Sequence, residues 1–315
     1  MKKNVASAFA PATTGNVGVG FDILGVALKT APGDTVTVAK TEQKGLVEIA
    51  GATGGVEVPL APEKNTATAG LLKLLKDFDL PWGFKVKIKK GIPLGSGMGG
   101  SAASAVAGVV AANALLPKPL SKSELLKYAI VGESVASGSI HGDNVAPCLF
   151  GGLVLVQPGA EDTTAMNVVS IPFPSKLVFV VALPKIQVGT KEARGILKPH
   201  VALHDFVKQS GYLSGFICGC FQNDLDLIAS SLKDILIEPQ RTHLIQGFPA
   251  VQKAALQNGA LGCTISGAGP AVFAVAKLKD AAKIKKAMVG AFNQAGVGPA
   301  QGWISTVNKK GASVI

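Results

Sequence analysis

The segment GIPLGSGMGGSAASAV, residues 91–106, places five glycines and three serines between a lysine-rich strand pattern and an alanine-rich helix pattern. Glycine leaves backbone N–H groups uncovered, and the N-terminus of a helix attracts anions through its free N–H groups and its dipole. The segment therefore predicts an anion-binding loop that leads into a helix.

Length and composition indicate a globular protein. The chain has 315 residues, enough for one large domain or two moderate ones, with 48% hydrophobic and 16% charged residues. Its 38 glycines exceed the usual share and predict many tight turns or close backbone contacts. The net charge is +11, but aromatic residues are only 5%, and KVKIKK (85–90) is a strand pattern with lysines on one face. We therefore expect no nucleic-acid partner, because such proteins combine a basic surface with aromatic residues or a known module.

Two segments imitate membrane or secretion signals. Residues 98–116 carry no charge and are long enough to span a bilayer, but they are mainly Gly, Ala and Ser, which predicts a buried helix. The amino-terminal MKKNVASAFAPA resembles a leader, but Asn4 and Ser7 interrupt its apolar stretch. We expect no cleavage, no membrane association and a cytoplasmic location.

The four cysteines lack the paired spacing of a zinc site. We expect buried free thiols in a reducing compartment at Cys148, Cys218, Cys220 and Cys263.

Hydrophobic spacing predicts an alternation of strands and helices. Strands are predicted for VASAFAP, DTVTVAK, GFKVKIKKGI, KLVFVVALP, LGCTISG, AVFAVAKL and GWISTVN, and helices for residues 66–78, 121–137, 200–221, 250–258 and 280–295. Residues 157–176 form a polar, proline-containing connection that predicts a domain boundary. Strand pairs that alternate with helices favour an α+β fold with helices on one face of each sheet.

The glycine loop differs from two common phosphate-binding motifs. No G-K-[ST] follows the glycines, which excludes a Walker loop. Gly95, Gly97 and Gly100 do form G-x-G-x-x-G, so a dinucleotide-binding oxidoreductase is an alternative. Such a site needs a second strand that ends in an acidic residue about 20 residues later, whereas Glu124 here lies within a predicted helix.

PLGSGMGGSAAS (93–104) resembles the P-x-x-x-G-L-G-S-S-A-A signature of the GHMP small-molecule kinases, with Met98 for leucine and Gly100 for the first serine. The resemblance implies that ATP binds here and that Asn65, in EKNTA, contacts adenine, although asparagine also caps helices. The implied ATP-binding positions are Asn65, Pro93, Leu94, Gly95, Ser96, Gly97, Met98, Gly99, Gly100, Ser101, Ala102 and Ala103.

Three further segments narrow the resemblance to homoserine kinases: APATTGNVGVGFDILGVAL (10–28), GESVASGSIHGDNVAP (132–147), and TKEAR (190–194) with EPQR (238–241). TISGAGPAVFAV (264–275) matches the third, glycine-rich motif of the superfamily, and all these motifs occur in the right order along the chain. The family fold has two domains. The resemblance implies a ribosomal-protein-S5-like ATP domain over residues 1–165 and a ferredoxin-like α/β sandwich over residues 166–315.

The resemblance also implies how an amino-acid alcohol is bound. Asp22 binds the substrate ammonium, although an aspartate beside glycines also caps turns. Arg194 and Arg241 bind the α-carboxylate, helped by Thr190, and are among very few arginines in a lysine-rich chain. The alternative for these arginines is a pair of surface salt bridges to Glu192 and Glu238.

The remaining roles concern the metal and the hydroxyl. Ser101 and Glu133 are implied Mg²⁺ ligands beside the phosphates. His141 and Asn16 are implied near the substrate, with Asn16 close to the reacting hydroxyl.

Relatives use an aspartate base at about Asp143, but homoserine kinases are thought to work without one. Asp143 or Asn144 then only orients the hydroxyl. Other GHMP kinases, a non-catalytic member of the fold and a homodimer stay open at this stage.

Overall fold

A computed structural model describes residues 4–138, 141–158 and 166–315. In these residues the strands are β1 (Val5–Pro11), β2 (Thr13–Gly15), β3 (Leu24–Ala27), β4 (Gly33–Thr41), β5 (Val47–Thr53), β6 (Gly83–Lys89), β7 (Leu153–Pro158), β8 (Met166–Ile171), β9 (Leu177–Leu183), β10 (Gly262–Ile265), β11 (Val272–Lys277), β12 (Gln301–Ser305) and β13 (Ser313–Val314). The α-helices are α1 (Thr66–Asp77), α2 (Gly100–Asn113), α3 (Lys122–Ser137), α4 (Val145–Phe150), α5 (Thr190–Gly195), α6 (Leu203–Gln222), α7 (Leu225–Ser231), α8 (Glu238–Arg241), α9 (Phe248–Gln257) and α10 (Ala281–Gln294).

The first sheet carries the glycine loop. Its strand order is β13-β1-β4-β6-β5, and β1 pairs with β4 antiparallel from Val5↔Ala39 to Pro11↔Gly33. The loop follows β6, and α2 then packs across β1 and β4 and against α1 and α3. Because α2 is rich in Ala and Gly, it can lie close to all these neighbours, and most of its residues are buried. The predicted buried helix is confirmed.

A second sheet, ordered β2-β3-β7-β8, corrects the sequence analysis at one point. The connection predicted for residues 157–176 contains β8, which pairs antiparallel with β7 from Leu153↔Ile171 to Pro158↔Met166. Strand pairing therefore crosses the proposed boundary between residues 165 and 166, and residues 159–165 lie outside the described residues. The two domain ranges stay a prediction.

The third sheet has the order β10-β11-β9-β12 and forms a ferredoxin-like sandwich with α9 and α10. Strand β9 is buried along its whole length because it faces two cores. Val178 and Val180 belong to the core beneath α9 and α10. Phe179 belongs to the core shared with the other sheets; its ring centre is 5.1 Å from that of Phe173, on which it stacks, and 5.6 Å from that of Phe273, to which it is tilted.

Three sequence-based expectations have specific outcomes. Of the four free cysteines, Cys148, Cys220 and Cys263 are buried as predicted, but Cys218 is exposed on α6. Lys90 differs from the exposed Lys85, Lys87 and Lys89 of β6, because it lies on the opposite, inner side at the end of this strand and is buried beneath α2. Among the helices of the described ranges, none has the length and hydropathy needed to cross a membrane.

A buried ion pair supports the first turn of α2. Lys90 and Asp34, with side chains 3% and 0% exposed, contact each other directly. Lys90 Nζ also donates to the Gly100 carbonyl at 2.7 Å and to Ser104 Oγ at 2.9 Å. Asp34 Oδ1 accepts from the N–H groups of Gly91 and Ile92, where the glycine loop begins. The pair thus joins both ends of the loop to the sheet.

Replacement of Lys90 by Met should destabilise the fold by about 3 kcal/mol or more, because it leaves the Asp34 charge buried without its partner. The free energy of unfolding in urea measures this loss. Lys87→Met, at an exposed position of the same strand, is the control and should change stability by less than about 0.5 kcal/mol. Equal effects of the two substitutions would contradict a structural role for the buried pair.

Candidate active site

One cavity of about 270 Å³ brings together most of the residues singled out from the sequence. The predicted residues that line it are Asn16, Asp22, Pro93, Leu94, Gly95, Ser96, Gly97, Gly99, Gly100, Ser101, Glu133, His141, Asp143, Asn144, Thr190, Arg194 and Arg241. Phe21, Ala136, Gly267 and Ala268 also line it and were not predicted. The cavity has the glycine loop at one end and paired charges at the other.

Contacts with the third sheet determine the conformation of the glycine loop. Gly95, Gly97 and Gly99 have positive φ angles of 61°, 75° and 67°, which glycine adopts without strain. A Cβ at Gly97 would collide with the carbonyl oxygens of Ser266 and Gly269. Ser266 Oγ donates to the Gly97 carbonyl at 2.7 Å. The turn between β10 and β11 thus determines the shape of the loop, and the N-terminus of α2 faces the cavity.

The loop between β2 and β3 is strained where it lines the cavity. Asn16, Val17 and Asp22 all have positive φ angles, which are unfavourable for residues other than glycine and are often found at functional sites. The Asn16 side chain stabilises this conformation: its Oδ1 accepts from the Asp22 N–H at 3.0 Å, and its Nδ2 donates to the Gly267 carbonyl at 2.9 Å. Asn16 therefore fixes the position of Asp22.

Asp22 forms a two-point ion pair with Arg194. The guanidinium donates to the carboxylate through Nη1 at 3.0 Å and Nη2 at 2.8 Å. His141 Nδ1 lies 3.7 Å from Asp22 Oδ2, while burial lowers the pKa of His141. In the described residues, Nε2 of His141 and Nε of Arg194 are buried without a hydrogen-bond partner. Each of these atoms thus keeps an unused hydrogen-bonding capacity.

Arg241 comes from α8 and is only 4% exposed. Its Nε donates to the Ala193 carbonyl at 2.9 Å, and Nη1 donates to the Gly267 carbonyl at 3.2 Å. Arg194 and Arg241 are the two arginines of the whole sequence, and both line this cavity. Arg194 pairs with Asp22 and Arg241 with backbone carbonyls, so the salt bridges considered for Glu192 and Glu238 are not the contacts that these arginines make.

Asp143 and Asn144 enter the cavity beside β2. A Cβ at Gly15 would collide with the Asp143 carboxylate, so only glycine allows this approach. Asn144 Oδ1 accepts from Thr13 Oγ1 at 2.8 Å. The pKa of Asp143 is raised to about 7: burial is the main cause and the charge of Asp22 contributes, whereas the Asn16 backbone, Arg194 and Asn144 oppose the rise. Asp143 can therefore gain or lose a proton near neutral pH.

Ser101, at the start of α2, meets Glu133, which lies near the C-terminal end of α3. Ser101 Oγ donates to Glu133 Oε1 at 2.9 Å. The pKa of Glu133 is raised to about 7: burial is the main cause and the charge of Asp143 contributes, whereas the Ser101 hydrogen bond and the charge of Lys90 oppose the rise. In the part of the chain that the structure describes, no three His, Cys, Asp or Glu side chains gather as a complete metal site.

Four predicted ATP-binding residues lie outside the cavity lining. Asn65 is the N-cap of α1: its Oδ1 accepts from the Ala67 N–H at 2.9 Å, and its Nδ2 donates to the Pro59 carbonyl at 2.7 Å. Both ends of its side chain are thus used within the fold, and adenine contact by Asn65 stays a prediction. Met98, Ala102 and Ala103 are fully buried, so their side chains support the loop from behind.

Comparison with known proteins agrees with this geometry. Residues 65–152 match the model of the GHMP kinases N terminal domain, and residues 216–294 match that of the GHMP kinases C terminal domain. The homoserine kinases of Xylella fastidiosa (strain M12) and Xanthomonas campestris are each 45% identical to the chain, over 98% of it and 94% of their own length.

The crystal structure of homoserine kinase from Cytophaga hutchinsonii covers 100% of this chain and 98% of its own, with a TM-score of 0.94 and 42% identity. An L. major mevalonate kinase, at 16% identity and a TM-score of 0.68, shares the fold. Fold and cavity thus define a GHMP-type small-molecule kinase. Within that class, the chain belongs to the homoserine kinases.

Asp143→Asn should stabilise the protein at high pH. A folded-state pKa of about 7 against an ordinary 3.8 means that the folded protein holds the proton more tightly, so stability falls as pH rises from about 4 to 7. The neutral amide avoids this loss. We expect a gain on the order of 2–4 kcal/mol over wild type at pH 8 and little difference at pH 4.

Urea unfolding across this pH range measures the effect. Asp226→Asn, at an exposed position of α7, is the matched control and should follow the wild-type pH trend. A gain for Asp143→Asn that is equal at pH 4 and pH 8 would contradict the burial of an ionisable carboxyl at this position.

Proposed function

We propose that three parts of the cavity carry out the homoserine kinase reaction. The reaction moves the terminal phosphoryl group of ATP to the side-chain hydroxyl of L-homoserine and forms O-phospho-L-homoserine, an intermediate of threonine biosynthesis. One observation carries the proposal: both arginines of the chain and Asp22 line the same cavity as the glycine loop. Charges for the two ends of an amino acid thus lie beside an anion-binding helix N-terminus.

The paired charges match an amino acid. A substrate with an ammonium and a carboxylate carries the same two charges as the Asp22–Arg194 pair. Its positive group can bind the carboxylate of Asp22, and its negative group can bind the guanidinium of Arg194. Asp22 takes the ammonium, and Arg194 and Arg241 take the carboxylate, with Thr190 at the same end. Arginine suits this role because its planar fork binds both carboxylate oxygens. The exchange replaces one ion pair by two.

The phosphate end rests on backbone groups. Free N–H groups at the start of α2 and the dipole of this helix stabilise the triphosphate without a P-loop lysine. Positioning and charge neutralisation supply most of the rate in phosphoryl transfer. The loop residues from Pro93 to Ser101 are therefore proposed to hold ATP.

The reacting hydroxyl lies between these two ends. Asn16 and Asn144 can orient it through their side-chain amides, and His141 contacts the substrate beside Asp22. Asp143, with a pKa of about 7, can accept a hydrogen bond from the hydroxyl and receive its proton as the new oxygen–phosphorus bond forms and the bond from this phosphorus to the departing ADP oxygen breaks. If Asp143 only orients the hydroxyl and does not receive its proton, its position relative to the hydroxyl is the same.

The donor set at Ser101 and Glu133 fits Mg²⁺. This ion takes one or two carboxylates together with phosphate oxygens and water, so a hydroxyl and one carboxylate beside the phosphate loop are sufficient protein ligands. When bound, Mg²⁺ would neutralise negative charge on the phosphates. A cytoplasmic location and a homodimer stay predictions.

Arg194→Lys should raise the KM for homoserine about tenfold or more. Lysine keeps the charge but loses the planar pair of donors, and a charged hydrogen bond contributes roughly 1.5–3 kcal/mol. The KM for ATP should hardly change, because the triphosphate binds at the other end of the cavity. Steady-state kinetics in an ADP-release assay measure both constants.

An amino alcohol without a carboxylate is the control substrate. It should be poor for the wild type and should lose less on the substitution than homoserine does. If homoserine and the amino alcohol lose activity by the same factor, Arg194 does not bind the carboxylate.

Glu133→Gln should lower kcat by a factor of a hundred or more, a loss on the order of 3 kcal/mol, and should raise the Mg²⁺ concentration needed for half-maximal activity. The amide keeps the hydrogen bond to Ser101 but removes the negative charge that attracts the metal. Glu124→Gln, the same change at the exposed start of α3, should leave both values unchanged. An unaltered Mg²⁺ requirement in a folded Glu133→Gln protein would exclude Glu133 from the metal site.

A further inference from the structure

Phe21 lies beside both arginines of the cavity and has no role in the mechanism described above. The Cζ atom of Arg194 is 5.3 Å from the centre of the Phe21 ring, and that of Arg241 is 5.2 Å from the same point. A guanidinium within about 6 Å of an aromatic ring centre is attracted by the negative face of the ring. One ring thus interacts with two cations.

The two guanidinium groups need such a partner because they repel each other. Arg194 is neutralised by Asp22, but Arg241 donates to the carbonyls of Ala193 and Gly267. Burial and the charge of Arg194 lower the pKa of Arg241 more than the charges of Asp22, Asp234 and Asp143 raise it, so a second cation is unfavourable at this position. When the ammonium group of a substrate binds Asp22, the ion pair between Asp22 and Arg194 is broken. Arg194 then has no carboxylate partner until the carboxylate of the substrate binds it.

The backbone holds the ring in place. Phe21 precedes Asp22, whose N–H donates to Asn16 Oδ1 at 3.0 Å within the strained loop. The Asn16 side chain is in turn bonded to the Gly267 carbonyl, which also accepts from Arg241. Arg241 and the Asn16 side chain, which holds the backbone next to Phe21, therefore share the same carbonyl group.

We infer that Phe21 is a positioning residue whose ring holds Arg194 and Arg241 together as one carboxylate-binding clamp. The inference rests on the proposed function, in which these two arginines bind the carboxylate of the amino-acid substrate. A ring without a negative face would leave the arginines repelling each other and spread apart. The affinity for a carboxylate-bearing substrate would then fall, while ATP binding would not change.

The test measures homoserine and ATP dissociation constants by calorimetry for a series of rings at position 21. Pentafluorophenylalanine keeps the shape of phenylalanine but removes the negative face of the ring. We expect this protein to bind homoserine about tenfold more weakly, equivalent to about 1.4 kcal/mol, with the ATP constant unchanged. Monofluorinated phenylalanine should give an affinity between those of the wild type and the pentafluoro protein. Phe21→Tyr should bind like wild type, and Phe21→Leu, which has no ring face, should bind more weakly than wild type.

The arginine variants separate failure of the inference from failure of the proposed function. If Arg194→Lys and Arg241→Lys weaken homoserine binding but the pentafluoro protein binds like wild type, the ring is an apolar wall and the inference alone fails. If neither arginine variant weakens homoserine binding, the clamp itself is absent, and both the carboxylate assignment and the inference fail. An equal loss of homoserine and ATP affinity in the pentafluoro protein would also overturn the inference, because it would indicate general damage.

Discussion

The contact between the glycine loop and the turn of the third sheet is the constraint on which the cavity depends. Ser266 bonds to the Gly97 carbonyl, the Ala271 N–H bonds to the Ser96 carbonyl, and the two backbones are too close for any side chain at Gly97. The loop belongs to the first sheet and the turn to the third. Their contact therefore closes the cavity, and it determines where the start of α2 lies relative to the two arginines.

Opposed charges then organise the interior. Two buried carboxylates, Glu133 and Asp143, have pKa values raised to about 7, while Arg241 is buried beside a second cation. Such groups are unfavourable in a folded protein unless a partner arrives. A zwitterionic amino acid and a metal–nucleotide supply charges of both signs. The protein is thus most stable when the ligands of the cavity are bound. Without them, the charged groups needed for function lower the stability of the fold.

Much of the fold and of the candidate site followed from the sequence, for physical reasons that differ between segments. The strand VASAFAP and the Ser121-capped helix were recognised because alternation and capping are local signals. The glycine loop was recognised because several glycines directly before a helix are typical of a segment whose backbone N–H groups must stay uncovered. The residues at the two ends of the cavity came from a resemblance carried by ordered motifs, since they lie far apart along the chain.

Other features could not be read from local patterns. Strand β8 was missed because its alternation, half exposed and short, resembles a polar connection. Burial of Lys90 depends on Asp34, which is 56 residues away, and no local rule identifies that partner. Phe21 carried a usable signal, an aromatic residue beside Asp22 in a glycine-rich loop, but its value depends on two arginines that reach it only in three dimensions.

The distribution of the basic residues has a chemical consequence. The positive charge of the protein surface is carried by lysines, whereas both arginines of the chain line one cavity. A dicarbonyl reagent that reacts with guanidinium groups therefore has two targets in the entire chain, both facing the same space. The rate at which the reagent modifies these two guanidinium groups reports whether the cavity is occupied, with no contribution from guanidinium groups elsewhere on the protein.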